Sequence, residues 1–307
     1  MLDPIAEIMA IAYAVAGISL ADSKRSMVEG RLGKRLRQLG CSLPEYVGKV
    51  RKDPAEMTAM LDLLTTNHTA WRRESAHFDD LENRVLPAVM KAQKGGRPRL
   101  RIWCAAAATG EEPWTIALSV VRAIKDIDQW DAAILATDIS TRALEKARAG
   151  RYDEDRISAL PAADRKLAVE QIEPGPPAMY SVKPQLRSLV SFARLNLMET
   201  WPMRGPFDCI FCRNVMIYFD HPTQERLVNR MAGLLAKGGT LYVGHSESLS
   251  VINHPLRALP PAVYAAPCSI PRRRPGGGGH RCPCRSSRRA RHHHHPCPGQ
   301  LRRHRDL

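Results

Sequence analysis

Residues 207–220 read Phe-Asp-Cys-Ile-Phe-Cys-Arg-Asn-Val-Met-Ile-Tyr-Phe-Asp, a short apolar run followed by a group of polar side chains. The apolar part is rich in strand-forming residues, and it ends abruptly at Arg213 and Asn214. Ligands of open α/β sheets bind just outside the carboxyl ends of the strands. The stretch therefore predicts a buried strand that delivers Arg213, Asn214 and Tyr218 to a binding crevice.

Strand and helix patterns alternate on both sides of this stretch, between residues 98 and 266. The predicted strands are residues 100–104, 132–137, 190–195, 208–212, 240–243 and 263–265, and the predicted helices are residues 111–124, 141–149 and 223–235. This alternation is typical of an α/β protein with a largely parallel sheet. Residues 151–189 interrupt it with a Pro-Gly-Pro-Pro turn at 174–177, and we interpret them as a small β insertion containing a hairpin at 179–189.

Residues 1–66 carry the apolar spacing of several amphipathic helices, one of them at 23–39. Ser42 and Glu45 have the spacing of a capping box, which predicts a helix start there. Residues 67–97 read as a junction between this helical domain and the α/β domain. Residues 24–52 contain nine basic and two acidic residues. That excess indicates either a solvated helix surface or a docking face for an acidic protein.

Most of the net charge of +15 lies in the last 41 residues. Residues 267–307 hold 11 arginines and one acid, whereas the remainder of the chain carries only +5. The global charge is therefore no argument for nucleic-acid binding. The segment has almost no large apolar residues, so we predict a disordered basic tail. Its cysteines and histidines lack the spacing of a structural zinc site, and we predict no metal.

Two further features bear on compartment and redox chemistry. The chain has no run of about 18 apolar residues, and Asp3 and Glu7 are untypical of a signal peptide, so we predict a cytoplasmic protein without membrane insertion. Cys209 and Cys212 have C-x-x-C spacing. In an extended strand these two side chains point to opposite faces, which predicts packing rather than a redox pair or metal clip.

The loop after the first predicted strand indicates the kind of ligand. Residues 105–110, Ala-Ala-Ala-Ala-Thr-Gly, are small enough to let the backbone approach a nucleoside closely. Asp138 follows the second strand, where an acidic side chain can accept hydrogen bonds from ribose hydroxyls. The glycine fingerprint of dinucleotide sites is absent, which argues against NAD.

Six motifs occur in order along residues 15–266 and resemble those of the CheR family, the S-adenosylmethionine-dependent methyltransferases that modify glutamates on chemotaxis receptors. They are Thr-Asn-His-Thr at 66–69 with Arg73-Glu74 and His77-Phe78, Thr-Gly-Glu-Glu-Pro-Trp at 109–114, Ala-Thr-Asp-Ile at 136–139, Leu-Asn-Leu at 195–197, residues 212–220, and Gly-His-Ser-Glu at 244–247. The resemblance implies a Rossmann-like methyltransferase sheet in residues 98–266, with the helical domain, the β insertion and the tail around it.

The resemblance also implies S-adenosylmethionine as cofactor and assigns roles to particular residues. The implied cofactor contacts are Asn67, Thr69, Arg73, Glu112, Asp138, Asn196, Leu197, Arg213 and Asn214. Arg73 and Tyr218 would lie nearest the transferred methyl group, which makes them the catalytic candidates. The implied partner is the cytoplasmic domain of methyl-accepting chemotaxis receptors, bound by a monomer. In some members the insertion also binds a receptor C-terminal peptide as an added strand.

Other interpretations of these residues remain open. Glu112 favours a helix N-terminus in any protein, Asp138 can cap a turn, and Asn196 can satisfy a loop. The chain also departs from the family pattern, because Arg72 stands where an aromatic residue is common and Ala108 and Trp114 replace a usual Ser and Tyr. Arg72 would place a charge beside the reacting site and alter substrate choice. The alternatives are a methyltransferase for another substrate and a non-catalytic module that binds cofactor or receptor.

Overall fold

A computed structural model describes residues 3–93 and 95–267 of the 307-residue chain. The predicted disordered tail, apart from Pro267, lies outside the described residues. The N-terminal domain consists of α1 (Pro4–Ala16), α2 (Arg25–Leu39), α3 (Leu43–Lys52) and α4 (Pro54–Leu64). Apolar side chains spaced at three and four residues meet in one buried core, of which Ile8, Leu32 and Met60 are examples. No described helix is long and apolar enough to cross a membrane.

Local sequence signals account for the helix ends in this domain. α2 begins at Arg25, after a short 3₁₀ turn at Asp22–Lys24, and so starts two residues later than predicted. The capping box is present, because the Glu45 carboxylate accepts hydrogen bonds from the Ser42 backbone N–H and hydroxyl, both at 2.7 Å. After the junction, α5 (Ala76–Asp80) runs through a π-helical turn (Leu81–Val85) into α6 (Leu86–Ala92).

The rest of the described chain alternates strands and helices, as the sequence predicts. Its elements are β1 (Arg99–Cys104), α7 (Glu111–Ala123), β2 (Asp131–Asp138), α8 (Thr141–Ala149), β3 (Arg151–Asp153), α9 (Glu154–Ile157), α10 (Ala162–Ala168), β4 (Val169–Glu173), β5 (Met179–Val182), α11 (Pro184–Arg187), β6 (Val190–Arg194), β7 (Phe207–Cys212), α12 (His221–Leu234), β8 (Leu235–Val243), β9 (Arg257–Ala258) and β10 (Val263–Ala265). β8 begins five residues earlier than the strand predicted at 240–243, so Gly238 and Gly239 lie inside it.

A mixed central sheet has the strand order β6-β2-β1-β7-β8-β10-β9. The strands β6, β2, β1, β7 and β8 run parallel, and β10 pairs antiparallel with β8. The chain winds from β1 towards β6 and then returns to place β7 on the other side of β1. This reversal creates a topological switch point at the carboxyl ends of β1 and β7, the position where such sheets bind ligands.

Helices cover both faces of the sheet, so alternate strand residues enter two separate apolar layers. Cys209 belongs to one layer and Cys212 to the other. Both cysteines are fully buried and free, as expected for packing residues. The prediction that the C-x-x-C pair points to opposite faces is confirmed.

The β insertion differs in detail from the predicted hairpin at residues 179–189. β5 is the central strand of a three-stranded antiparallel sheet and pairs with β3 on one side and β4 on the other. Residues 184–187 form the short helix α11 instead of a second strand, because Pro184 removes a backbone donor and favours a helix start. The prediction of a hairpin at 179–189 was therefore wrong, although a small β unit is present.

Candidate active site

A cavity of about 430 Å³ lies at the switch point, between the α/β domain and the N-terminal helices. Its walls include every residue that the sequence singled out for cofactor binding or catalysis: Asn67, Thr69, Arg73, Glu112, Asp138, Asn196, Leu197, Arg213, Asn214 and Tyr218. Residues that sequence reasoning missed also line it, among them Ile18, Ser19 and Leu20 between α1 and α2. The structure thus brings the predicted residues together, while the role of each stays a prediction.

Arg213 is buried and neutralised. Its Nη1 donates to a Glu112 carboxylate oxygen at 2.7 Å, and its Nη2 donates to Glu74 at 3.0 Å and to the Arg73 carbonyl at 2.5 Å. The guanidinium also lies 5.3 Å from the centre of the Phe78 ring. Burial raises the pKa of Glu112, while Arg213 holds the pKa of Glu74 below its usual range against the effect of burial. Arg213 therefore links the Glu112 helix to the Arg73 loop.

Arg73 has a different environment, although it lines the same cavity. Its Nη1 donates to the His68 carbonyl at 3.1 Å. Within the described part of the chain, no carboxylate lies within 4.0 Å of its guanidinium, in contrast to the two that neutralise Arg213. A half-buried cation without an anionic partner can bind an incoming carboxylate by a two-pronged hydrogen bond. Arg73 is thus available for an acidic ligand.

Asp138 fixes the loop of small residues after β1. One carboxylate oxygen accepts the Ala108 N–H at 2.8 Å, and the other accepts the Ser140 N–H at 2.8 Å. Ala108 has φ of 46°, a left-handed conformation that costs energy and needs such support. Burial raises the pKa of Asp138. Each oxygen keeps a lone pair, so the carboxylate can cap the loop and accept a ligand hydroxyl as well.

Asn196 joins the two domains. Its Nδ2 donates to the Val15 carbonyl at 2.7 Å and to Glu199 Oε1 at 3.1 Å, and its Oδ1 accepts the Met198 N–H at 3.0 Å. Nearby, the Ser19 N–H donates to the Tyr218 carbonyl at 2.8 Å. These hydrogen bonds hold the end of α1 and the connection after it over the cavity, so the N-terminal domain completes the site.

Glu247 supports the loop that carries the polar residues after β7. Its carboxylate accepts the backbone N–H groups of Asn214 (2.8 Å), Gly244 (2.6 Å) and Ile217 (3.2 Å). Asn214 has φ of 56°, and a Cβ at Gly244 would lie 2.5 Å from its Nδ2, so the close approach requires glycine there. Glu247 ends the Gly-His-Ser-Glu motif at 244–247, whose spacing alone does not predict this supporting role.

His77 gives the site a testable pH dependence. The ring is 1% exposed, and neither ring nitrogen has a hydrogen-bond partner among residues 3–93 and 95–267. Burial together with the Arg213 charge lowers the pKa of His77 to about 4. As the pH falls, the unfolded chain therefore protonates His77 near pH 6.5, whereas the folded protein protonates it only near pH 4. We expect the free energy of unfolding to fall as pH drops from about 6.5 towards 4. Urea unfolding at several pH values measures this.

The matched variant for this expectation is His77→Phe, which keeps a ring in the apolar position without a titrating nitrogen. Its free energy of unfolding should fall less between pH 7 and pH 5 than that of the wild type. Replacing the exposed His221 by alanine should leave the wild-type profile unchanged. Equal slopes for wild type and His77→Phe would contradict the assignment.

Glu74, His77 and His245 place ligand atoms within 4.8 Å of one another, a spacing that a metal ion could bridge. The Glu74 carboxylate, however, already accepts hydrogen bonds from Arg213 and from the Asn214 amide. A cation would have to displace the guanidinium or lie beside it, which like charges disfavour. The absence of a metal therefore stays our prediction.

Comparisons with known proteins agree with this architecture. The family model described as "CheR methyltransferase, all-alpha domain" matches residues 3–65, and "CheR methyltransferase, SAM binding domain" matches residues 67–264. A probable chemotaxis protein methyltransferase of Rhizobium etli is 45% identical over 243 residues, which are 78% of this chain and 90% of the relative. Chemotaxis protein methyltransferase 2 of Pseudomonas aeruginosa is 42% identical over 82% of this chain and 89% of its own length.

Proposed function

The chain belongs to the CheR methyltransferase family, and from this membership we propose that it methylates glutamate side chains of methyl-accepting chemotaxis receptors. It is a methyltransferase, and its cofactor is S-adenosylmethionine. The proposed products are glutamate methyl esters and S-adenosylhomocysteine. We further propose that it acts as a monomer in the cytoplasm, where the receptor signalling domains lie.

The chemistry of a carboxylate substrate determines what this site must do. A glutamate has an unperturbed pKa of about 4.3, so it is ionised at neutral pH and needs no general base. The bound cofactor supplies an electrophilic methyl group. The protein must remove water from the carboxylate and align it with the methyl–sulfur axis. Such orientation supplies roughly 7–11 kcal/mol in favourable cases.

The unpaired charge of Arg73 is the observation that carries the proposal. Arg73 and Tyr218 line one cavity together with the residues proposed to hold the cofactor. Two carboxylates already pair with Arg213, so Arg73 is the arginine of the cavity wall that is available to bind the substrate carboxylate. We assign Arg73 to orienting the glutamate carboxylate and Tyr218 to a hydrogen bond at the reacting centre.

The cavity also fits the cofactor. The small residues at 105–108 allow close approach of the backbone, and Asp138 lies beside them with lone pairs free for ribose hydroxyls. The buried Glu112 carboxylate offers an acceptor for the ammonium group of the cofactor's methionine part. The remaining contacts, from Asn67, Thr69, Asn196, Leu197 and Asn214, surround the same space.

Charge on the N-terminal domain supports an acidic protein partner. Arg25, Arg35 and Arg51 pair with carboxylates of the chain itself, and Arg31 donates to carbonyls at the end of α4. The other basic residues of this surface are exposed and, within the described ranges, have no carboxylate within 4.0 Å; they are Lys24, Lys34, Arg37, Lys49 and Lys52. These five cations favour docking of acidic receptor helices.

The test compares substrate classes under one condition. Purified receptor cytoplasmic fragments, free dicarboxylic acids and RNA are incubated with the protein and radiolabelled S-adenosylmethionine. We expect label only on the receptor fragment, and a loss of labelling when its acceptor glutamates are changed to alanine. Label on RNA or on free acids, with none on the receptor, would overturn the proposed substrate.

Asp138→Asn tests the cofactor assignment separately. An amide at this position turns one acceptor into a donor that faces the Ala108 or Ser140 N–H. We expect S-adenosylhomocysteine to bind at least about tenfold more weakly in calorimetry, since one charge-assisted hydrogen bond contributes about 1.5–3 kcal/mol. The exposed Asp128→Asn should bind as the wild type does. Unchanged affinity in Asp138→Asn would remove Asp138 from the cofactor site.

A further inference from the structure

The backbone on both sides of Arg73 adopts an unusual conformation. Arg72 has φ of 51° and Glu74 has φ of 57°, so two non-glycine residues in left-handed conformation flank the proposed catalytic arginine. Such conformations persist only where surrounding contacts hold them. Glu74 is held on one side, by Arg213, Asn214 and the His245 N–H. Arg72 must be held on the other.

The Arg72 side chain turns away from the cavity and enters a group of carboxylates. Its guanidinium lies 2.9 Å from Asp79, 3.5 Å from Asp164 and 3.7 Å from Glu82, and its side chain is 14% exposed. Its backbone N–H donates to Thr115 Oγ1 at 3.2 Å. Arg72 is not among the residues that line the cavity, so the expectation that it brings a free charge to the reacting site is wrong, while its effect on substrate choice stays a prediction. The charge is neutralised by residues of the chain.

Asp164 connects this group to the β insertion. It lies on α10, its side chain is 5% exposed, and it also accepts a hydrogen bond from Arg122 at 2.6 Å. Arg122 reaches Glu82 as well, at 3.6 Å. The result is an ionic cluster of five side chains: Arg72, Arg122, Asp164, Glu82 and Asp79. This cluster joins the Arg73 loop to α7, to the helix after the junction and to the insertion.

We propose that Arg72, held by Asp164 of the β insertion, is a positioning residue for Arg73 in the methyl transfer reaction. The proposal rests on the function proposed above for Arg73. Arg72 fixes the backbone before Arg73 as Glu74 fixes it afterwards, so the guanidinium of Arg73 is presented to the cavity in one orientation. A misplacement of about 1 Å at such a group costs roughly 100-fold in rate.

The test uses the full chain with three variants in the receptor methylation assay. Arg72→Met and Asp164→Asn should each lower kcat by about 10- to 100-fold, with little change in KM for S-adenosylmethionine. Arg72→Lys should recover part of the loss, since it keeps the charge but not the planar fork. Because Asp164 acts on Arg73 only through Arg72, adding Asp164→Asn to Arg72→Met should cause no further loss in kcat.

Arg122→Met is the matched control. It removes a cation from the same carboxylates, Asp164 and Glu82, but among the described residues Arg122 makes no hydrogen bond or ion pair with residues 71–74. We expect wild-type kcat for this variant. Two results would overturn the proposal, because each would give the cluster a purely structural role. The first is a fall in kcat for Arg122→Met equal to that for Arg72→Met. The second is a lower melting temperature for Arg72→Met with unchanged kcat.

Arg73→Ala in the same assay separates the two proposals. If Arg73→Ala is inactive while Arg72→Met keeps wild-type kcat, the positioning role falls and the proposed function stands. If wild type and Arg73→Ala turn over equally, the role of Arg73 fails, and the positioning role fails with it.

Discussion

Arg73→Ala is expected to lower kcat for receptor methylation by about 10²- to 10³-fold, the size of effect seen when one preorganised hydrogen-bond donor is removed from a reacting centre. The physical reason is that, among the described residues, Arg73 is the arginine of the cavity wall without a carboxylate partner, and alanine leaves the substrate carboxylate without a two-pronged donor. Single-turnover transfer of labelled methyl groups measures the change. Circular dichroism should remain close to wild type, and binding of S-adenosylhomocysteine should weaken by a smaller factor than kcat falls, since Arg73 is also an expected cofactor contact.

Two further variants control this result. Arg73→Lys keeps the charge but loses the two-pronged geometry, so its rate should fall between those of wild type and Arg73→Ala. Arg204→Ala removes an exposed arginine outside the cavity wall and should be fully active. Turnover of Arg73→Ala within about threefold of wild type would contradict the assigned role. Weaker cofactor binding in parallel with the rate would assign Arg73 to the cofactor instead.

Arg213→Met is expected to lower the free energy of unfolding by about 3–5 kcal/mol, the usual cost of removing one partner of a buried ion pair. Methionine fills a similar volume, but Glu112 and Glu74 are left without their counter-charge. The Arg73 carbonyl also loses its hydrogen bond, so activity should fall together with stability. Urea-induced unfolding gives the free energy directly.

The exposed ion pair between Arg25 and Asp3 provides the comparison. Arg25→Met should cost under about 1 kcal/mol, because solvent screens surface pairs. Adding Glu112→Gln to Arg213→Met should recover part of the lost stability, since it removes one uncompensated charge. A cost for Arg213→Met no larger than that for Arg25→Met would show that the buried triad contributes little to stability.

Much of the site could be predicted from the sequence because parallel strands present their carboxyl ends at one edge of the sheet. Asp138 is the last residue of β2, Asn196 lies two residues after β6, and Arg213 follows β7. Once these strands are recognised by their apolar runs, the polar residues that follow them must converge. The switch point between β1 and β7 then places the Ala-rich loop opposite Arg213 and Asn214.

The rest depends on contacts that no local pattern encodes. Arg72 meets Asp164, which is 92 residues away along the chain and lies in the insertion. Glu247 reaches Asn214 across 33 residues. β3 and β5 are three and four residues long, too short for a recognisable period, so their pairing across the insertion was missed. The segment after α1 was missed because Ile18 and Leu20 line the cavity with apolar side chains, which form no recognisable ligand motif.

The most direct test of the central claim is to identify the residue that acquires the methyl group. A purified receptor cytoplasmic fragment is incubated with this protein and S-adenosylmethionine, digested, and analysed by tandem mass spectrometry before and after mild base. We predict methyl esters on glutamate side chains that base removes, and none when Arg73→Ala replaces the wild type. Base-stable methyl groups on nitrogen or sulfur, or glutamate methylation that persists in Arg73→Ala, would contradict the account.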